Sequence, residues 1–201
     1  MIRSGSDGKV LVKGNTKLYE YDLENQESTM VLNWTDSYLT SDYIRDFVKL
    51  QNGDYLVYYE DWNQNSKELV TLKKTKAADL PQKEELVLAT LYPENESLQR
   101  AVIEFNRTNV KYKITVKSYI DENAEYTETL FVDTIKQINT DLTGNNPPDI
   151  IDLSYLNLEN LGVKGVLEDL TPYLESSTVL KREDFIPNVL NAYKIKDKLV
   201  A

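Results

Sequence analysis

In the first part of the chain, apolar and polar residues alternate with the period of two that is typical of half-buried β-strands. Short polar stretches separate five such runs, and the pair Asn52-Gly53 between the third and the fourth is a strong hairpin signal. The pattern therefore predicts consecutive antiparallel strands at residues 17–22, 30–34, 44–50, 55–60 and 68–73.

The period changes near residue 85. Residues 86–92 are almost continuously apolar, which is typical of a strand that is buried on both faces of a parallel sheet. A helix is predicted over residues 93–109, because its apolar residues recur at the spacing i, i+3, i+4 and i+7. Alternation over residues 112–119 predicts a second strand with one face in water.

A polar loop at residues 121–125 leads to a second predicted helix, which begins near Thr127 and ends near Leu142. The β-branched run at residues 149–153 is too short for a helix and predicts a third strand. The order β, α, β, α, β predicts a parallel sheet with right-handed crossovers. Ligands of such sheets bind outside the carboxyl ends of the strands.

Gly144 and the two asparagines after it suit the left-handed conformation that often ends a helix, and two prolines then bar its continuation. Beyond the third strand we expect a short helix at residues 156–161 that ends at Gly162. A turn and another short helix should follow within residues 163–174, then a helix at 185–193 and the beginning of a strand at 194–201.

Composition divides the chain in the same way. All six prolines lie at Pro81 or later, whereas both tryptophans precede it, and the net charge is -2 over residues 1–83 and -8 over residues 84–201. We therefore expect an antiparallel β region at residues 1–83 and an α/β region at 84–201, which makes the fold α+β overall.

The residue types exclude several kinds of chemistry. The chain has no His and no Cys, so triads that use histidine, thiol chemistry and disulfides are excluded within it, and we expect neither a cofactor nor a metal. A net charge of -10 argues against nucleic acid or an anionic membrane as a partner.

No run approaches the roughly 18 apolar residues of a membrane span, and residues 1–6 are not a signal peptide. Two interpretations stay open: a cytoplasmic protein, or an internal piece of a longer chain.

The spacing of strands and turns in residues 1–83 resembles one blade of a β-propeller with pieces of its neighbours. A single blade cannot bury both sides of its sheet, so this interpretation implies further blades before Met1. The alternative is a small, self-contained antiparallel sheet.

Four pieces of residues 85–201 resemble, in order, the amino-terminal part of the extracellular solute-binding proteins of ABC importers, in the carbohydrate-binding family that includes maltose-binding proteins. They are the strand 86–92, the helix 98–106, residues 144–152 and residues 165–174. In the family the third piece is Gly-x-x-Pro-Asp followed by apolar residues, and the fourth is Gly-x-Leu-x-x-Leu-Thr-Pro. The likeness covers a little over half of the chain.

The resemblance implies two α/β lobes that close on a sugar held between them, of which this chain would supply the incomplete first lobe. It implies an extracellular or periplasmic parent protein, often anchored as a lipoprotein, which delivers its solute to the membrane subunits of an importer. A signal segment and a second lobe are then expected in the parent.

Strand-end geometry and the resemblance together indicate a ligand site on two loops. The candidate residues are Tyr92, Glu94 and Asn95 after the first strand, and Ser154, Tyr155 and Asn157 after the third. The chain departs from the sugar binders in having Leu153, not an aromatic residue, directly after Asp152, so Tyr155 would have to stack on the sugar. Alternatively, Glu94 and Asn95 cap a helix and Tyr155 packs on the lobe.

Three functions remain open from the sequence. The first is capture of a sugar or related polar solute without catalysis. The second is an interaction scaffold, in which the β region recruits a protein and the solute-binding part is degenerate. The third, disfavoured because no motif fixes their separation, is a glycosidase that uses Glu94 and Asp152 as its carboxylate pair.

Overall fold

The computed structural model describes residues 1–6, 8–120 and 124–201. It shows an α+β fold, with antiparallel sheets in the first part of the chain and a parallel sheet in the second. The loop predicted at 121–125 lies partly outside the described residues. Within the described ranges, no helix is both long enough and apolar enough to span a membrane.

The first part of the chain forms two antiparallel meanders. The first contains β1 (Ile2–Ser4), β2 (Lys9–Lys13), β3 (Lys17–Asp22) and β4 (Glu27–Asn33), paired in chain order. The second contains β5 (Ile44–Lys49), β6 (Tyr55–Asp61) and β7 (Ser66–Leu72). All five predicted strands are present, whereas β1 and β2, which are short, were not predicted.

The two meanders share one hydrophobic core. Leu11 and Leu18 from the first sheet pack in the same cluster as Phe47 and Val57 from the second, and the ring centroids of Trp34 and Phe47 are 6.1 Å apart. Burying apolar faces against each other is the usual solution for a sheet with one apolar side. The antiparallel region therefore contains two packed sheets, where the alternative expected one.

The second part forms the predicted parallel sheet, with strand order β10-β8-β9. Its first crossover helix packs on the sheet by the stripe that the sequence predicted, with Val102 against Leu88 and Ile114. The elements are β8 (Glu84–Thr90), α1 (Glu96–Thr108), β9 (Tyr112–Ser118), α2 (Glu128–Leu142) and β10 (Ile150–Ile151).

The remaining chain contains α3 (Leu158–Lys164), α4 (Thr171–Ser176) and α5 (Pro187–Ala192), followed by a hairpin of β11 (Lys194–Ile195) and β12 (Lys198–Leu199). Single 3-10 turns occur at Ser41–Tyr43, Ala77–Asp79 and Arg182–Asp184. The hairpin is attached to the start of α4, where the Leu170 amide donates to the Leu199 carbonyl.

Three predictions about element ends were wrong. Helix α2 ends at Leu142 as predicted, but Gly144 does not adopt the left-handed conformation; instead, the Thr143 hydroxyl bonds to carbonyls of the last turn. Helix α3 continues through Gly162 and ends before Gly165, whose φ of 70° provides the left-handed cap. The last residues form a hairpin instead of one strand, since Lys196 and Asp197 both have positive φ and turn the chain.

Removing part of the shared core should destabilise the antiparallel region. Leu18 is completely buried, so Leu18→Ala should lower the free energy of unfolding by about 2 to 5 kcal/mol. Leu23, which is 59% exposed in a turn, is the matched control, and its replacement by Ala should cost less than about 0.5 kcal/mol. Urea unfolding followed by tryptophan fluorescence measures both, and equal effects would contradict the shared core.

Candidate ligand-binding site

The carboxyl ends of β8 and β10 are joined by a hydrogen-bond network. Thr90, buried as the last residue of β8, donates its hydroxyl to Asp152 Oδ2 at 2.8 Å and accepts the Tyr92 amide at 3.1 Å. Ser154 donates its hydroxyl and its amide to Asp152 Oδ1, at 2.6 and 3.0 Å. The network therefore connects the loop after β8 with the loop after β10.

The same contacts affect the ionisation of Asp152. Partial desolvation by itself disfavours the carboxylate, but the hydrogen bonds from Ser154 and Thr90 more than offset it, so the pKa of Asp152 is lowered from its ordinary value. The carboxylate therefore stays charged at neutral pH, with both oxygens accepting hydrogen bonds. A group already engaged in this way is better suited to orienting neighbours than to acting as a nucleophile.

Four aromatic rings lie beside this network, and we call them the aromatic cluster: Tyr92, Tyr126, Phe131 and Tyr155. The ring centroids of Tyr92 and Tyr155 are 4.7 Å apart, and Phe131 meets Tyr155 edge to face at 6.2 Å. Desolvation raises the pKa of Tyr92, with the neighbouring Tyr126 as the second cause. Tyr155 is still 54% exposed, so the cluster holds its ring in place without covering it.

Five of the six predicted site residues fall into two groups. Tyr92, Ser154 and Tyr155 meet in the network and the aromatic cluster. The side-chain oxygens of Asn95 and Asn157 instead cap α1 and α3, where they accept the amides of Leu98 and Asn160. The capping alternative is thus confirmed for the Asn95 oxygen, and the Asn157 oxygen makes a cap that was not predicted. Each amide nitrogen remains a donor with no hydrogen bond among the described residues.

Glu94 is exposed in the loop between β8 and α1, and its charge contributes to the raised pKa of Tyr92. Its carboxylate has no hydrogen bond or ion pair among the residues that the structure describes. It is therefore close enough to Tyr92 to act electrostatically, and it is free to accept a hydrogen bond from a ligand.

Sequence reasoning missed three residues of this site: Thr90, Tyr126 and Phe131. Thr90 was treated only as part of the first strand, although a hydroxyl at the end of a parallel strand faces the ligand edge. Tyr126 and Phe131 follow the carboxyl end of β9, so the rule that selected the other two loops could have selected this one as well. The sequence feature that could have identified them is their position as two aromatic residues on either side of the start of α2.

An open groove of about 580 Å³ begins at Asp152 and Ser154 and runs along β10, over an apolar floor that includes Leu88, Leu98 and Ile151. This volume lies in the range of small-molecule sites, which combine an apolar lining with a few polar groups. The groove and the network together can hold an uncharged polar molecule, with hydrogen bonds at one end.

A slightly larger cleft, about 630 Å³, runs along α1 beside the second meander. Its side chains without partners, such as Glu68, Gln64 and Glu104, are exposed to solvent. Solvated side chains of this kind are ordinary surface. We therefore place the candidate site at the strand ends, where polar groups of two loops converge around the buried Thr90. No group of acidic side chains within the described ranges is arranged to hold a metal ion.

The chain was compared with known proteins at the level of families, sequences and structures. No protein-family model matches it, and neither does any curated protein or solved structure. The function must therefore be argued from the site.

The network predicts a measurable change in ionisation. Ser154→Ala removes one hydrogen bond from the Asp152 carboxylate, so the pKa of Asp152 should rise toward its ordinary value. A lowered folded-state pKa contributes stability above the unfolded-state pKa, and this is lost as the pH falls through the folded-state pKa. The variant should therefore lose stability at neutral pH and less of it in acid.

Carboxyl carbon NMR titration measures this pKa directly. Asp22 is the internal control, because its pKa is lowered chiefly by the backbone and side chain of Asn25, far from the substitution. An unchanged titration of Asp152 in the variant, or an equal shift of Asp22, would contradict the role given to Ser154.

Proposed function

We propose that the chain captures a sugar or a related polar solute outside the cell, without catalysis, as part of a binding protein for an ABC importer. The observation that carries the proposal is the meeting of the aromatic cluster with the Thr90-Asp152-Ser154 network at the carboxyl edge of the parallel sheet. This arrangement offers a ring face beside groups that donate and accept hydrogen bonds.

The strand order supports this location. In β10-β8-β9 the chain goes from β8 to a neighbour on one side and then crosses to the other side for β10. Ligands of open α/β sheets bind at such a reversal, outside the carboxyl ends of the strands. Thr90 and Asp152 lie at this reversal, which is where the first lobe of a solute-binding protein would contribute to the cleft.

The chemistry of the site suits a sugar. The hydroxyls of a sugar both donate and accept, so they can bond to Glu94 and to the amide nitrogens of Asn95 and Asn157. The flat, weakly polar face of a sugar ring can pack on the exposed ring of Tyr155. In this proposal Tyr155 takes the role for which the sugar binders use an aromatic residue at the position of Leu153.

The antiparallel region is, in this proposal, part of a β-propeller. Two successive meanders, of four and three strands, pack face to face over one core, as adjacent blades do. Further blades would cover the other faces of the two sheets.

A second candidate function is a protein-interaction scaffold, and the outer face of the second meander favours it. Leu69 is 70% exposed and Val48 is 48% exposed, and with Leu56 and Tyr58 they line an open apolar surface. Contiguous apolar surface on a sheet is typical of an interaction site. A protein partner whose binding is lost in Leu69→Ser but kept in Tyr155→Ala would favour this candidate.

Calorimetric titration with a panel of neutral mono- and oligosaccharides tests the leading proposal. At least one should bind, and Tyr155→Ala should weaken binding by about 0.5 to 1.5 kcal/mol, or roughly two- to tenfold, because the ring face is lost. Tyr173→Ala is the matched control, since Tyr173 is similarly exposed on α4, and it should leave the affinity unchanged.

Two results would overturn the proposal. One is the absence of binding by any sugar of the panel. The other is binding that Tyr155→Ala and Tyr173→Ala weaken equally.

A further inference from the structure

One buried side chain, Gln99, joins the antiparallel region to the loop of the candidate site. Gln99 lies in the second turn of α1 and is only 1% exposed. Its Oε1 accepts the Ser41 amide at 3.1 Å, and its Nε2 donates to the Pro93 carbonyl at 3.0 Å. The orientation of the side-chain amide is fixed, because a backbone N–H can only donate and a carbonyl can only accept.

The two partners of Gln99 belong to different parts of the fold. Ser41 is buried in the 3-10 turn that leads into β5, so it belongs to the antiparallel region. Pro93 lies in the loop that carries Tyr92, Glu94 and Asn95. The loop is also held by the Tyr92 amide bonded to Thr90, by the Asn95 amide bonded to the Tyr92 carbonyl, and by Asn95 itself, which accepts the amides of Leu98 and Gln99.

A second contact holds the same end of α1 from the same side. The Tyr43 hydroxyl meets Glu96 and Arg100 of the helix and the Asn63 amide of the antiparallel region, with Arg100 donating at 2.9 Å. The Tyr43 side chain is almost completely buried. The first two turns of α1 are thus fixed to the antiparallel region, and the loop is fixed to those turns by Gln99.

We propose that Gln99 is a positioning residue, through which the antiparallel region sets the conformation of the ligand loop at residues 92–95. Docking of that region and binding of a solute are then energetically coupled, since each stabilises the same arrangement of the loop. The part of this inference that concerns the solute rests on the proposed function, whereas the part that concerns the loop does not.

The chain contains a matched control on the same helix. Asn106 is also 1% exposed, and its side-chain amide also makes two hydrogen bonds, donating to the Ile114 carbonyl and accepting the Ile114 amide. These bonds fasten α1 to β9 and do not reach the ligand loop. Gln99→Met and Asn106→Leu each replace a buried amide by an apolar side chain of similar size, and each removes two hydrogen bonds.

Native-state hydrogen exchange of the whole chain tests the loop part without any ligand. The exchange rates of the slowest core amides report global stability, and the other rates are divided by them. After this correction, exchange at the Tyr92 and Asn95 amides should be at least tenfold faster in Gln99→Met than in the wild-type chain. It should change less than threefold in Asn106→Leu. Equal acceleration in both variants, or none in Gln99→Met, overturns the proposal.

Gln99→Glu separates the two bonds and provides a second variant if Gln99→Met does not fold. At a pH at which the introduced carboxyl group is ionised, it still accepts the Ser41 amide but cannot donate to Pro93. The loop amides should therefore exchange faster while the Ser41 amide stays protected. Protected loop amides in this variant would show that the bond to Pro93 does not hold the loop, and so contradict the proposal.

The coupling is tested with a sugar that binds the wild-type chain in calorimetry. That sugar should slow exchange at the Ser41 amide, and Gln99→Met should weaken its binding more than Asn106→Leu does, by about fivefold or more. Equal weakening, or an unchanged Ser41 amide, overturns the coupling. Failure of every sugar to bind instead counts against the proposed function, and hydrogen exchange without ligand then decides the role of Gln99 alone.

Discussion

Helix α1 packs against the parallel sheet and the antiparallel region at the same time, and the arrangement of the molecule depends on this double packing. Val102 packs into the parallel sheet, while Gln99 and Ile103 are buried on the side that faces the antiparallel region. A helix with one apolar stripe can bury that stripe against a single sheet. Here a polar but buried position, Gln99, extends the buried surface to a second face, and its hydrogen bonds compensate for the loss of water. The two regions are therefore joined by a specific contact, in addition to the chain that connects them.

The site follows from where α1 begins. Because the helix starts directly after the loop at the end of β8, anything that fixes its first turns also fixes that loop. The Thr90-Asp152-Ser154 network fixes the same loop from the side of β10. Tyr92 and Tyr155 are thus brought together by two independent supports, which is what a preorganised ligand surface requires. This gives a physical reason for the antiparallel region to accompany the α/β region: it forms part of the support of the loop at residues 92–95.

The parallel sheet and its carboxyl edge could be predicted from the sequence. They depend on the spacing of apolar residues within each strand and helix, which can be read from one short segment at a time. The sequence could place Tyr92 and Tyr155 at one edge, but not in contact, since that distance depends on the strand order. The pairing of Gln99 with Ser41 was not predictable, because a polar residue on a helix is usually solvated and nothing local indicates its burial. The end of α2 at Leu142 was predicted correctly, but its left-handed cap was not. Gly144 suits a left-handed cap, but the Thr143 hydroxyl had already satisfied carbonyls of the last turn.

The central claim is that a polar solute binds at the carboxyl edge of the parallel sheet. Two-dimensional amide NMR of the labelled chain, titrated with a sugar that binds, tests this most directly because it locates the contact without any substitution. We expect saturable shifts that are largest at the amides of Tyr92, Ser154 and Tyr155, with smaller ones at Ser41. Shifts confined to the cleft along α1 or to the outer face of the second meander would contradict it.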